Sequence, residues 1–214
     1  MGDIKLENYI KTQVDITDRN LKDKNFHLHK YRHDEYANWL KDHLNMDMKV
    51  LDIGCRDGSF LESLRNVVGV WQLWGIELNE TASMIAGDKG IMVYNIDAHN
   101  ISCENLPSCE MEFYDLVCMT HLLEHTHSPL QVLKEALRVL KKGGLLFIEV
   151  PLEPMLKSNE DHNEWGHYFT FQSHSDLIKL LGMVRREQGY DFETVKDLKD
   201  EKKNKWYRLL VRKL

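Results

Sequence analysis

A chain of 214 residues with 43% hydrophobic and 29% charged side chains carries enough apolar material for a substantial core. Its net charge of −6 provides no basic field for collecting phosphates, which argues against a general nucleic-acid binder; the lysine-rich KDLKDEKKNKWYRLLVRK is interrupted by acids and apolar residues. No apolar run reaches the roughly 18 residues a membrane span needs, the opening MGDIKLENYIKTQVD is too polar for a signal peptide, and Lys5 and Leu6 break the myristoylation pattern. Cysteines 55, 103, 109 and 118 form no C-x-x-C pair, so free thiols in a reducing cytoplasm are expected rather than a disulfide framework.

Residues 1–33 are polar and aperiodic and read as an arm or lid ahead of a single domain over 34–214. HDEYANWLKDHL (33–44) has Tyr36, Ala37, Leu40 and Leu44 at helical spacing. KVLDIG predicts a buried strand, GSFLESLRNV a helix, VWQLWGIEL a second strand, ETASMIA a helix, and GIMVYNID a third strand that Asp97 closes. YDLVCMT is an apolar run of the kind buried on both faces of a parallel sheet. SPLQVLKEALRVLKKGG predicts a helix with Ser128 as N-cap, Pro129 as first residue and Lys141 and Lys142 in the last turn. Strand LLFIEVP follows, then an acidic loop (157–167), a helix in SHSDLIKLLG, and strands near 183–190 and in WYRLLVRKL that pair antiparallel.

Strands alternating with helices specify an α/β fold: a Rossmann-like, doubly wound, mostly parallel seven-stranded sheet with an antiparallel C-terminal strand and helices on both faces. Ligands of such sheets bind beyond the carboxyl ends of the strands, and DIGCRDG, IELNE, NIDAHN and CMTHLLEH all follow strands. Gly54 permits a sharp turn, and Gly58 lets a helix start close to a ligand. Glu77 at the next strand end can accept hydrogen bonds from both hydroxyls of a ribose, and Asp97 an adenine amino group. The turn has no G-x-G-x-x-G, because Arg56 and Ser59 stand where a dinucleotide fingerprint needs glycine, and no triphosphate loop exists.

As a set, these motifs resemble the class I S-adenosylmethionine-dependent methyltransferases of the small single-domain type, over roughly residues 34–214. Asp52-Ile53-Gly54-Cys55-Arg56-Asp57-Gly58 matches the family's D-x-G-C-G-x-G except at Arg56. YDLVCMTHLLEHTHSP, VLKKGGLLFIEVP and HYFTFQSHSDLIKLLGMV resemble its later segments. The resemblance implies that Asp52, Gly54, Cys55, Arg56 and Gly58 hold the methionine end of S-adenosylmethionine, Glu77 the ribose, and Asp97 with Ala98 the adenine, and Leu78 and Thr120 are further cofactor-binding candidates. Arg56 either points to solvent or reaches a carboxylate with its fork of donors.

Methyl transfer is an in-line displacement, and a hydroxyl acceptor benefits from a general base. His121, His125 and His167 are the candidate bases; if their segment is helical, His121 and His125 share a face. Glu124, His125, His127, Asp161, His162 and His167 could form a metal site, but nothing in the sequence fixes their geometry and no bound metal is expected. The expected activity is O-methylation of a small or sugar-like acceptor by a cytoplasmic monomer or homodimer, without nucleic acid or membrane. The alternatives are N- or C-methylation, a non-catalytic cofactor-binding regulatory protein, a propylamine transferase and, weakest, a nicotinamide oxidoreductase.

Overall fold

The computed structural model describes residues 6–22, 27–101, 112–153, 167–199 and 205–214. Seven strands form a mixed sheet in the order β3-β2-β1-β4-β5-β7-β6. The chain divides into two compact units, Met1–Asn100 and Ile101–Leu214.

The first unit begins with α1 (Leu6–Leu21), where the sequence reads as aperiodic, and α2 (His27–Leu40), which starts six residues ahead of the helical spacing read in 33–44 and ends before Leu44. In α1, Tyr9 and Ile16 are the buried apolar side chains, seven residues apart on one face, too sparse a stripe to register as a pattern. Then come β1 (Lys49–Ile53), α3 (Ser59–Val68), β2 (Gln72–Ile76), α4 (Glu80–Asp88) and β3 (Met92–Tyr94). Strand β1 pairs parallel with β2, and β2 with β3. Because β3 ends at Tyr94, Asp97 lies in the following turn rather than at the strand's last position.

The second unit contains β4 (Tyr114–Thr120), α5 (Pro129–Val139), β5 (Leu140–Pro151), α6 (His174–Gln188), β6 (Phe192–Lys199) and β7 (Trp206–Lys213). Strand β4 runs parallel to β5, while β7 runs antiparallel to both β5 and β6. Val117, Cys118, Phe147, Ile148 and Leu209 are fully buried, each apolar side chain contributing about 1.5–3 kcal/mol.

Two further boundaries differ from the sequence reading. Helix α5 stops at Val139, so Lys141 and Lys142 belong to β5. The Nζ of buried Lys213 donates to the carbonyls of Leu137 and Leu140 at 2.9 and 2.8 Å, supplying the cation that the helix end takes from elsewhere in the chain. Residues 183–188, read as a strand, continue α6: Leu177, Leu180, Leu181 and Val184 form one buried helical stripe, and the helix ends at Gly189 with φ 72°.

Candidate active site

The loop after β1 is built on left-handed backbone at three positions: Gly54 (φ 80°), Arg56 (φ 53°) and Gly58 (φ 73°). The N–H groups of Gly54 and Cys55 both donate to the carbonyl of Ile76, at 2.8 and 3.0 Å, tying the loop to the end of β2. Glu77 completes the tie. Its Oε2 accepts from the Arg56 N–H at 2.9 Å and its Oε1 from the Asn79 N–H at 2.8 Å. Burial raises the Glu77 carboxyl above its usual range, and these amide donors oppose that shift.

Asp52 is 2% exposed, and among the described residues its Oδ1 has no hydrogen-bond partner. Burial first, then the charge of Glu77, push it well above the ordinary carboxylate range. A neighbouring acid behaves oppositely. Burial would raise Asp57 too, but Ser59 Oγ at 2.6 Å and Lys89 Nζ at 3.1 Å hold it below its usual value. A Cβ on Gly58 would lie 2.4 Å from Ile91 Cδ1, and one on Gly75 would lie 2.4 Å from Cys55 Sγ. Glycine is therefore a packing requirement at both places, and at Gly58 a conformational one as well.

Asp97 Oδ1 lies 2.9 Å from the His99 N–H and 2.6 Å from its Nδ1. Tyr9 of α1 meets the His99 ring edge-on at 5.6 Å, and Asn79 Nδ2 donates to Asp18 Oδ1 at 2.7 Å. Asn79 and His99, missed by the sequence reading, anchor α1 beside both strand-end acids. Asn79 had a signal, since it is the N-cap of α4 and its side chain accepts from the Ala82 N–H. Leu78, Ala98 and the Arg56 side chain are half-buried. These residues fit the methionine end of S-adenosylmethionine in one respect the fold alone does not require: a buried carboxyl oxygen of Asp52 that meets no donor among the described residues, beside a glycine turn.

The second unit holds the histidines. Thr120, half-buried, ends β4, and His121 follows with φ 51°, so this segment is not an α-helix. A short 3-10 turn, Leu123–His125, comes next. His121 and His125 therefore do not stack on one helical face. His121 lies between two carboxylates, Nδ1 at 3.2 Å from Glu124 Oε1 and Nε2 at 2.9 Å from Glu149 Oε1. Glu149 Oε2 in turn accepts from Arg208 Nε at 2.7 Å, across a β5–β7 register that sets these residues opposite each other.

His125 packs edge-on against His167, ring centres 4.7 Å apart. Tyr168 and Phe169 donate their N–H groups to the Glu124 carbonyl at 2.7 and 3.0 Å, which brings His167 back to the 3-10 turn. His167 Nδ1 is 3.0 Å from Glu153 Oε2. Ligand atoms of Glu124, His125 and His167 all lie within 4.8 Å of one another. Of the other residues considered as ligands, His127 is exposed, and Asp161 and His162 fall outside the described residues.

A glycine loop gripped by a buried strand-end acid, in a seven-stranded sheet with one antiparallel strand, is a doubly wound α/β arrangement with a ligand site beyond its strand ends. A methyltransferase-domain family model matches residues 26–197, and the chain belongs to the class I S-adenosylmethionine-dependent methyltransferases. It is 28% identical over 196 residues to the mitochondrial ubiquinone biosynthesis O-methyltransferase of Candida albicans, covering 90% of this chain and 55% of that protein. The chain spans between half and three-fifths of the length of the first curated relatives it matches. Solved structures share the fold. One, a possible histamine N-methyltransferase of Thermotoga maritima, is 22% identical with a TM-score of 0.60, covering 94% of this chain and 99% of that one. Another, the geranyl diphosphate C-methyltransferase of Streptomyces coelicolor in complex with Mg2+, geranyl diphosphate and S-adenosyl-L-homocysteine, is 11% identical with a TM-score of 0.65, covering 84% and 79%. No helix among the described residues is long and apolar enough to cross a membrane.

Proposed function

We propose that this chain methylates a hydroxyl oxygen of a small or sugar-like acceptor, using S-adenosylmethionine, in the cytoplasm. The observation that carries the reading is Glu77, buried at the end of β2, joined to the loop through the Arg56 N–H and held in place by the Asn79 N–H. Its carboxylate offers more lone pairs than these amide donors occupy, which leaves acceptor capacity for a ribose hydroxyl. The N–H groups of the loop after β1, with Asp52, would hold the methionine end, and Asp97 with Ala98 the adenine. The cofactor supplies a methyl group already activated on a sulfonium. The protein contributes alignment and exclusion of water.

Oxygen is favoured as acceptor because the curated relatives are named as O-methyltransferases. Activation of the hydroxyl is assigned to the Glu124–His125–His167 cluster. His121 is the poorest of the three candidate bases, since both of its ring nitrogens face carboxylates. Titration calorimetry with S-adenosylmethionine and S-adenosylhomocysteine tests the cofactor site: Glu77→Ala should weaken binding at least about tenfold, the loss of one charge-assisted hydrogen bond. Incubation with methyl-labelled cofactor and a panel of phenols and sugars, read by mass spectrometry, tests the acceptor. No binding, or unchanged affinity in Glu77→Ala, sinks the site assignment. Label found on nitrogen or carbon sinks the choice of oxygen, and binding without transfer to any acceptor favours a regulatory protein.

A further inference from the structure

We propose that Glu124, His125 and His167 bind a divalent transition-metal ion, and that His121 and Glu153 orient two of these ligands. This rests on the reading above only for its consequence, activation of the acceptor hydroxyl; the binding itself stands on geometry.

Four observations converge. First, the three side chains bring one carboxylate and two imidazoles within 4.8 Å of one another, the reach of a shared ion. Second, Glu124 is 1% exposed, and among the described residues its Oε2 accepts no hydrogen bond. An ionised oxygen left so is costly unless a cation meets it. Third, His121 Nδ1 engages Glu124 Oε1, fixing the carboxylate so that Oε2 is the oxygen left to a ligand. His121 is itself anchored by Glu149 and, through it, by Arg208.

Fourth, His167 Nδ1 faces Glu153 Oε2 at 3.0 Å. A metal-bound histidine commonly gives its other ring N–H to a carboxylate, which sets the tautomer and leaves Nε2 for the ion. Two imidazoles and one carboxylate suit Zn2+, Mn2+ or Fe2+ better than Ca2+ or Mg2+, whose preferred ligands are oxygen. Three protein ligands leave coordination positions for water or a substrate oxygen. Metal binding and base catalysis compete for the same imidazole lone pairs. The buried Oε2 favours the metal, because a histidine base would leave that oxygen without a partner.

The test uses the full chain, stripped with a chelator and titrated with Co2+ and Zn2+. Visible absorption of the Co2+ form and calorimetry with Zn2+ should give one ion per chain. Glu124→Gln and His167→Asn should abolish saturable binding while leaving S-adenosylhomocysteine affinity intact, which also shows that the variants fold. Glu153→Gln should weaken metal affinity about 10–100-fold, as expected for an outer partner of a ligating histidine. No saturable binding of either ion, or the same affinity in folded Glu124→Gln, overturns the proposal. Methyl transfer that persists undiminished in the stripped protein overturns the consequence for catalysis and leaves the methyltransferase reading standing. Metal binding without methyl transfer does the reverse.

Discussion

Gly58→Ala separates the two reasons for glycine in the cofactor loop. The residue sits at φ 73°, where a Cβ costs about 1–2 kcal/mol. That Cβ would also stand 2.4 Å from Ile91 Cδ1, 3.0 Å from Ala86 Cβ and 3.3 Å from Ala86 Cα. Ile91 Cδ1 can rotate away, but Ala86 belongs to α4 and its backbone yields less readily. Overpacking of this kind costs about 1–3 kcal/mol. The total loss is about 2–5 kcal/mol, a large part of a typical domain's stability. Urea unfolding followed by tryptophan fluorescence measures it. Adding Ile91→Val, which removes Cδ1, should recover part of the contact cost and none of the backbone cost. A loss below about 1 kcal/mol with unchanged denaturant slope would refute the reasoning, and full recovery by Ile91→Val would refute the backbone part.

Asp52 should give a pH signature in the ligand-free protein. Its folded-state pKa lies above the unfolded value, so its contribution to stability is full below the ordinary carboxylate range of about 4 and is lost as pH rises through the folded value. Asp52→Asn should therefore flatten the stability decline above that range while weakening S-adenosylmethionine binding; a parallel pH profile in denaturant titrations would contradict this. Arg208 and Glu149 are each 1% exposed, so Arg208→Met should cost about 3–5 kcal/mol by stranding the carboxylate. Pairing it with Glu149→Gln should return part of that loss, and additive losses in the double variant would count against a coupled pair.

Much of this architecture is written locally. YDLVCMT is apolar at the positions a doubly covered strand needs, and β4 occupies those residues. Gly54 and Gly58 mark left-handed backbone, and Glu77 directly follows a strand, because turn and strand chemistry act over a few residues. The failures have a common cause. Lys141 and Lys142 look like a helix end until Lys213, from the far end of the chain, takes that role. MVRREQGY (183–190) reads as a strand until Val184 is seen completing the stripe of Leu177, Leu180 and Leu181.

By itself, then, the sequence determined the sheet-and-helix alternation, the glycine turn and the acids at its strand exits, all properties of short windows. The tertiary structure alone decided which partners those residues keep. Glu149 and Arg208, 59 residues apart, meet because the β5–β7 register sets them opposite. His167 reaches His125 because two N–H groups of its segment bind the Glu124 carbonyl. Such pairings depend on register and on loops closing over long separations, and no local periodicity encodes either.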